Sequence, residues 1–280
     1  MATAARGTRA GTPPGTRQLS APAGIEERTV EINGHPCRVW EKGSGPRLGY
    51  LSPAPGVPRW QPFLEQLSER RRVVVPSIPG LFGATGHGEL DDTADWIAMA
   101  LDLVEASGLA GQDLIGGSIG GMLAAEVATF SEVSKLVLIA PYGLYDPEEP
   151  VSDPFAVPPA QQAPIYSANP AAFLEAFGPP SDPDQAQEFM VLAYRASETA
   201  ARLVWPFGDR GLRKRLHRIT CPTLLLWGSQ DRIIPASYAK RFATGITGPT
   251  RIRSLEAAGH LAAIDAPEAA AAAVLEFLEA

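Results

Sequence analysis

With 280 residues and a formal net charge of -7, the chain is long enough for one large α/β domain, or for a core carrying an inserted subdomain. Its acidic balance argues against nucleic-acid binding, and no apolar run approaches the roughly 18–20 residues that a membrane span needs. Cys37 and Cys221 make no disulfide framework and fit a reducing cytoplasm, and no C-x-x-C pair or clustered His and Cys marks a metal site.

Residues 1–20 carry Arg6, Arg9 and Arg17 among Ala, Gly, Thr and Pro, with no acids. The apolar stretch of a signal peptide is missing, and the composition predicts a disordered tail. Residues 28–32 and 38–41, split by Asn33-Gly34, read as a β-hairpin, and 48–51 as a third strand. A short helix over 60–70 carries Trp60, Phe63, Leu64 and Leu67 on one face. An apolar strand over 72–75 stops at Pro76. A helix over 92–107 is capped by Asp91 or Asp92 and has Ile97, Leu101 and Val104 as its stripe. A buried strand ends at Asp113-Leu114-Ile115, and Leu123, Val127 and Phe130 follow at helical spacing. After a strand over 135–140 the composition shifts. From Tyr142 to Phe207, prolines break the alternation and aromatics are dense, with helices predicted over 170–177 and 185–204. Strands over 223–227 and 250–255 and helices over 237–242 and 266–278 complete the chain. The β-α-β-α order implies a mostly parallel sheet covered on both faces.

Between the buried strand and its helix stands Gly116-Gly117-Ser118-Ile119-Gly120, a G-x-S-x-G at a strand-to-helix junction. That is the setting of a nucleophile elbow, a sharp turn that exposes a serine hydroxyl. Gly116 and Gly120 flank the serine where close backbones leave no room for a Cβ. A serine hydroxyl needs a base to take its proton, and the base needs an acid to fix its tautomer. Ser118 therefore predicts a later acid and a later histidine at strand ends. Asp231 lies in Trp227-Gly228-Ser229-Gln230-Asp231-Arg232-Ile233-Ile234-Pro235, directly after an apolar strand. His260 lies in Ala258-Gly259-His260-Leu261, after the last strand. Asp146 is the reserve acid. His35, His87 and His217 read as solvated or structural residues, His87 with a smaller share as a pocket wall.

These motifs, in the order Ser…Asp…His, resemble those of α/β-hydrolase-fold proteins with a cap domain, and the resemblance spans residues 28–280. It implies the α/β-hydrolase fold: a mostly parallel eight-stranded sheet with helices on both faces and an inserted helical cap. The core would be 21–141 and 215–280, and the cap 142–214. Carried over by motif, Ser118 would be the nucleophile, His260 the base and then the acid, and Asp231 the orienting acid. Pro79-Gly80-Leu81-Phe82-Gly83 resembles the family's loop after the fourth strand.

Acyl transfer also needs backbone donors aimed at the developing oxyanion. One is the N–H of Ile119, the residue after the nucleophile. In relatives the other loop carries His-Gly; here Ser52-Pro53-Ala54-Pro55 stands in its place. Proline has no N–H, so Ala54 is the expected second donor. Ser52, Tyr142, Tyr194, Trp205 and Leu261 are expected to line the substrate pocket. The cluster Arg210, Arg213, Lys214, Arg215 and Arg218 reads as a solvated face.

The resulting expectation is a cytoplasmic serine hydrolase that forms an acyl-enzyme on an ester, thioester, lactone or activated C–C bond of a small, partly apolar substrate. No cofactor, metal, nucleic acid or membrane is expected as a partner, and a homodimer is compatible with the sequence. Leu261 stands where ring-cleavage C–C hydrolases often carry Trp, which lowers that member of the set. The alternatives are a non-hydrolytic enzyme of the same fold (lyase, cyclase or acyltransferase) and a ligand-binding pseudoenzyme.

Overall fold

The computed structural model describes residues 21–158 and 161–280; the tail expected over 1–20 lies outside the described residues. The hairpin strands are β1 (Glu26–Ile32) and β2 (His35–Lys42). Asn33 and Gly34 join them with φ of 51° and 77°, the paired positive dihedrals of a two-residue turn that follows strand twist. Then come β3 (Arg47–Leu51), α1 (Pro62–Ser68), β4 (Arg72–Pro76), α2 (Thr93–Ala106), β5 (Asp113–Gly117), α3 (Ile119–Phe130) and β6 (Leu136–Ile139). A helical segment with α4 (Ala163–Tyr166), α5 (Pro170–Phe177) and α6 (Pro183–Val204) separates β6 from β7 (Thr223–Gly228). The chain closes with α7 (Ser237–Gly245), β8 (Thr250–Leu255), α8 (Ala262–Asp265) and α9 (Pro267–Glu279).

Among the described residues, eight strands form one sheet in the order β1-β2-β4-β3-β5-β6-β7-β8. β2 runs antiparallel to both neighbours, and from β4 to β8 every pairing is parallel. Because successive strand side chains point to opposite faces, each central strand feeds two cores. Val74, Leu114, Leu138 and Leu225 pack with α2, α3 and α7. Val73, Val75, Ile115, Val137, Leu224 and Leu226 pack with α1 and α9. None of the described helices is long and apolar enough to cross a membrane.

Four local expectations need correction. The first helix starts at Pro62, because proline suits the first helical turn and pushes the residue before it to extended backbone; Gln61 sits at φ -98°, ψ 151°. The last helix starts at Pro267, where proline again takes the first helical position, leaving α8 as a separate turn after His260. In α2 the buried face is Trp96, Met99, Ala100, Leu103 and Val104, with Ile97 and Leu101 at its margin. The bulk of Trp96 turns that face toward the core, and Asp92 rather than Asp91 caps the helix in a reciprocal pair with Asp95. In α3 the side chains are buried from Ile119 to Thr129 while Phe130 is exposed beneath Arg218.

Candidate active site

Ser118 is the hinge between β5 and α3. Its φ of 55° and ψ of -118° lie outside the ordinary wells of an L-residue. A Cβ on Gly116 would fall 2.4 Å from the Gly120 carbonyl oxygen, and one on Gly120 would fall 2.2 Å from that of Leu51. The two glycines therefore let the end of β3, the elbow and the first turn of α3 close on one another. The Ser118 carbonyl accepts N–H bonds from Met122 and Tyr142, each at 3.1 Å, which ties the elbow to the chain leaving β6.

The serine hydroxyl lies 2.8 Å from His260 Nε2, and His260 Nδ1 lies 3.0 Å from Asp231 Oδ2. Both the imidazole and the carboxylate are buried. The other carboxylate oxygen, Asp231 Oδ1, accepts the N–H groups of Ile233 and Ile234 at 2.8 and 3.0 Å. With one oxygen held by backbone, the other is aimed at the imidazole. The Trp227 indole N–H donates to the Ile234 carbonyl at 3.0 Å, fastening the far end of that loop. Gly228 lets the acid loop meet the histidine loop, since a Cβ there would fall 2.1 Å from the Gly259 carbonyl oxygen. The tryptophan and glycine before Asp231 thus have a mechanical reason.

Asp146, the reserve acid, is taken by Arg241 in an ion pair. His35 pairs with Glu89 at 3.0 Å, and His217 is exposed. His87 sits 3.7 Å from Glu198, and burial lowers its pKa. Burial pushes the Cys37 thiol up to about 12 and also raises that of the half-buried Cys221, so neither forms a thiolate near neutral pH.

The loop after β3 lies beside the elbow. Pro53 Cδ would be 3.4 Å from a Cβ on Gly117, and Ser52 is buried. Ile119, the first residue of α3, carries one of the helix N–H groups that lack an intrahelical partner. Among the described residues, neither the Ile119 nor the Ala54 N–H donates to a backbone carbonyl outside regular elements.

Around the imidazole the structure brings together some of the expected pocket residues and leaves out others. The Tyr142 ring stands edge-on to His260 with centroids 5.7 Å apart and stacks on Phe207 at 5.9 Å. Burial, reinforced by Tyr166, Asp231 and Asp153, raises its phenol pKa well above the ordinary value. Leu261 is buried in a small cluster with Phe177 and Ile264. Tyr194 and Trp205 are 62% and 55% exposed. They sit on the outward side of α6 and at its end, because Phe189, Ala196, Thr199, Ala200, Leu203 and Val204 occupy its inner face. Sequence reasoning missed Tyr166, whose ring centroid is 6.1 Å from that of His260, and Phe207. Both are aromatics in a segment rich in them, and nothing local marks them.

Residues 43–273 match the Alpha/beta hydrolase family. Over 92% of its length the chain is 26% identical to a 2-hydroxy-6-oxo-2,4-heptadienoate hydrolase of Pseudomonas putida, covering 94% of that protein. Among solved structures it is similar to a membrane phospholipase A described as a bacterial virulence factor (22% identity, TM-score 0.75, 92% of this chain and 86% of that one). It is also similar to the 2-hydroxy-6-oxo-6-phenylhexa-2,4-dienoate hydrolase of Rhodococcus sp. strain RHA1 (19% identity, TM-score 0.71, 91% and 99%). With the family matched across most of the chain, the protein belongs to the alpha/beta hydrolase family.

Proposed function

We propose that the protein is a serine hydrolase working through an acyl-enzyme on Ser118. The observation that carries this reading is the unbroken hydrogen-bonded line from Ser118 Oγ through the His260 ring to Asp231, mounted on a strained strand-to-helix turn. As Oγ attacks a carbonyl carbon, its proton passes to His260 Nε2. Asp231 holds the Nδ1–H tautomer and stabilises the imidazolium. The N–H groups of Ile119 and Ala54 receive the oxyanion, where each well-placed donor is worth roughly 3 kcal/mol. The imidazolium then returns its proton to the leaving group, and a water activated by the same nitrogen releases the acid.

The rings beside His260 are those of Tyr142 and Tyr166, with Phe207 stacked on Tyr142 and the next residue, Leu261, in an apolar cluster. They support a small substrate with an apolar or ring-bearing portion, cleaved at an ester, thioester, lactone or activated C–C bond. The heptadienoate hydrolase relative keeps oxo acids in that range.

A fluorophosphonate should label the wild type at Ser118 and leave Ser118→Ala unlabelled, with p-nitrophenyl acetate turned over only by the wild type. A folded wild type that stays unlabelled refutes the reading. Labelling without turnover of any acyl substrate moves the assignment to a non-hydrolytic enzyme or a ligand-binding protein.

A further inference from the structure

Asp265, at the end of α8, carries no cationic partner among the described residues, yet its carboxylate is surrounded by donors. Oδ2 accepts the N–H of Gly259 at 2.6 Å and that of Ala168 at 2.8 Å. Oδ1 accepts the Ser167 hydroxyl in a short bond and the N–H of Asn169 at 3.3 Å. These donors come from two places far apart in sequence. Gly259 precedes His260, whereas Ser167, Ala168 and Asn169 belong to the helical segment between β6 and β7. On the other flank of the histidine, the Leu261 N–H donates to the Tyr166 carbonyl at 2.9 Å. A Cβ on Gly259 would fall 2.8 Å from the Ala168 nitrogen, so the two backbones are in direct contact. Asn169 goes on to cap α5 through the Ala172 N–H at 3.2 Å.

The residues on both sides of His260 are therefore bolted to the stretch from Tyr166 to Asn169. The imidazole itself is hydrogen-bonded to Asp231 and Ser118 and flanked by the Tyr142 and Tyr166 rings, while the acid loop holds the inner side of the histidine loop through the Gln230 N–H on the Ala258 carbonyl at 2.8 Å. Charge-assisted bonds to a carboxylate are about twice as strong as neutral ones, and Asp265 places such bonds on the histidine loop and on the helical segment at once. We propose that Asp265 is a positioning residue that makes the working alignment of His260 depend on the seating of the helical segment between β6 and β7. Lifting that segment removes the acceptor that Leu261 uses and three of the four donors on Asp265. The histidine loop then loses its outer support while the Asp231 contact persists. Substrate binding that presses the segment down would align the base, and product release that lifts it would relax the base. The inference rests on His260 being the base of the serine hydrolase proposed above.

The test compares the whole protein with Asp265→Ala, Asp265→Asn and Ser167→Ala, using p-nitrophenyl acetate turnover, fluorophosphonate labelling rate and NMR of the histidine ring. A displacement of about 1 Å in a reacting group can cost roughly 100-fold. Asp265→Ala should therefore lower kcat by about 100-fold per titrated active site, with KM within about threefold and the labelling rate falling in parallel. Asp265→Asn keeps one oxygen acceptor, and the Ser167 hydroxyl can turn to accept, so it should lose only about tenfold. Ser167→Ala added to Asp265→Ala should cost nothing further, because the two act as one unit. The His260 ring resonance should shift or broaden in both Asp265 variants. Wild-type kcat per active site with an unchanged His260 resonance in Asp265→Asn overturns the proposal, as does a loss of activity that disappears once kcat is normalised to the folded fraction. If Asp265→Ala does not fold, Asp265→Asn and Ser167→Ala decide. If the wild type is unlabelled at Ser118 while the resonance still responds to Asp265, the hydrolase reading fails and the positioning link stands.

Discussion

At Ser118 the backbone is held where a non-glycine residue costs about 1–3 kcal/mol. The surrounding contacts enforce it: the Ser118 N–H donates to the Ile139 carbonyl at 2.9 Å, and its own carbonyl accepts from Met122 and Tyr142. The strain keeps the hydroxyl clear of both the strand and the helix, where the imidazole can reach it. Asp231 divides its two oxygens between backbone and imidazole, and this predicts the behaviour of one substitution. In Asp231→Asn the amide oxygen can keep the bonds from Ile233 and Ile234, which directs the NH2 group at His260 Nδ1. The imidazole must then accept at Nδ1 and carry its proton on Nε2, the tautomer that cannot take the serine proton. For the serine hydrolase proposed above, ester turnover should fall by about 10⁴ in kcat while Tm changes little. Turnover within tenfold of wild type would remove Asp231 from the orienting role.

At the scale of elements, α3 buries a carboxyl group paired with an arginine. Glu126 lies in the core with a side chain that is 0% exposed. The guanidinium of Arg215 reaches it from the turns before β7, with Nε 2.8 Å from one carboxylate oxygen and a second nitrogen on the other. Arg215 was expected on a solvated basic face with its neighbours, and it is instead a fork-shaped tie between α3 and the start of the β7 region. Breaking a buried pair by removing one partner costs about 3–5 kcal/mol. Arg215→Ala should lose that much in urea unfolding, and a loss below about 1 kcal/mol would show that the pair is not a structural tie. The helical segment between β6 and β7 is fastened by arginines at several points. Arg59 donates to the carbonyls of Glu175 and Ala176 at 3.3 Å and Gly178 at 2.7 Å, at the C-terminal end of α5, where a cation is favoured. Arg195 on α6 donates to the Gly80 carbonyl at 3.2 Å. The two arginines join the segment to the loops that follow β3 and β4.

Across the whole molecule, the sheet places β5 near its centre, so the elbow is flanked by loops from strands on both sides. At the antiparallel end of the sheet, Glu41 gathers Arg28 and Arg72 at 2.8 Å each and so links β1, β2 and β4. Burial pushes the Glu41 carboxyl pKa up, but the bonds from Arg28 and Arg72 outweigh it and hold the value below the ordinary 4.5. A carboxylate with a depressed folded pKa contributes stability that is present above its unfolded pKa and lost as pH falls through the folded one. The urea midpoint of wild type should therefore drop more steeply below pH 4.5 than that of Glu41→Gln; equal slopes would place the acid sensitivity elsewhere. The succession of strands along the chain, the hairpin, the elbow and the order Ser118, Asp231 and His260 are legible in the sequence alone. Alternation, turn residues and proline positions act within a few residues, so they can be read there. Packing in three dimensions brings side chains 142 positions apart, Ser118 and His260, to within 2.8 Å. The same packing occupies Asp146 with Arg241 and puts Tyr166 rather than Tyr194 beside the imidazole. Which face of a helix is buried depends on what the sheet packs against it, and hydrogen bonds between separate loops, such as those of Asp265, leave no period in the sequence.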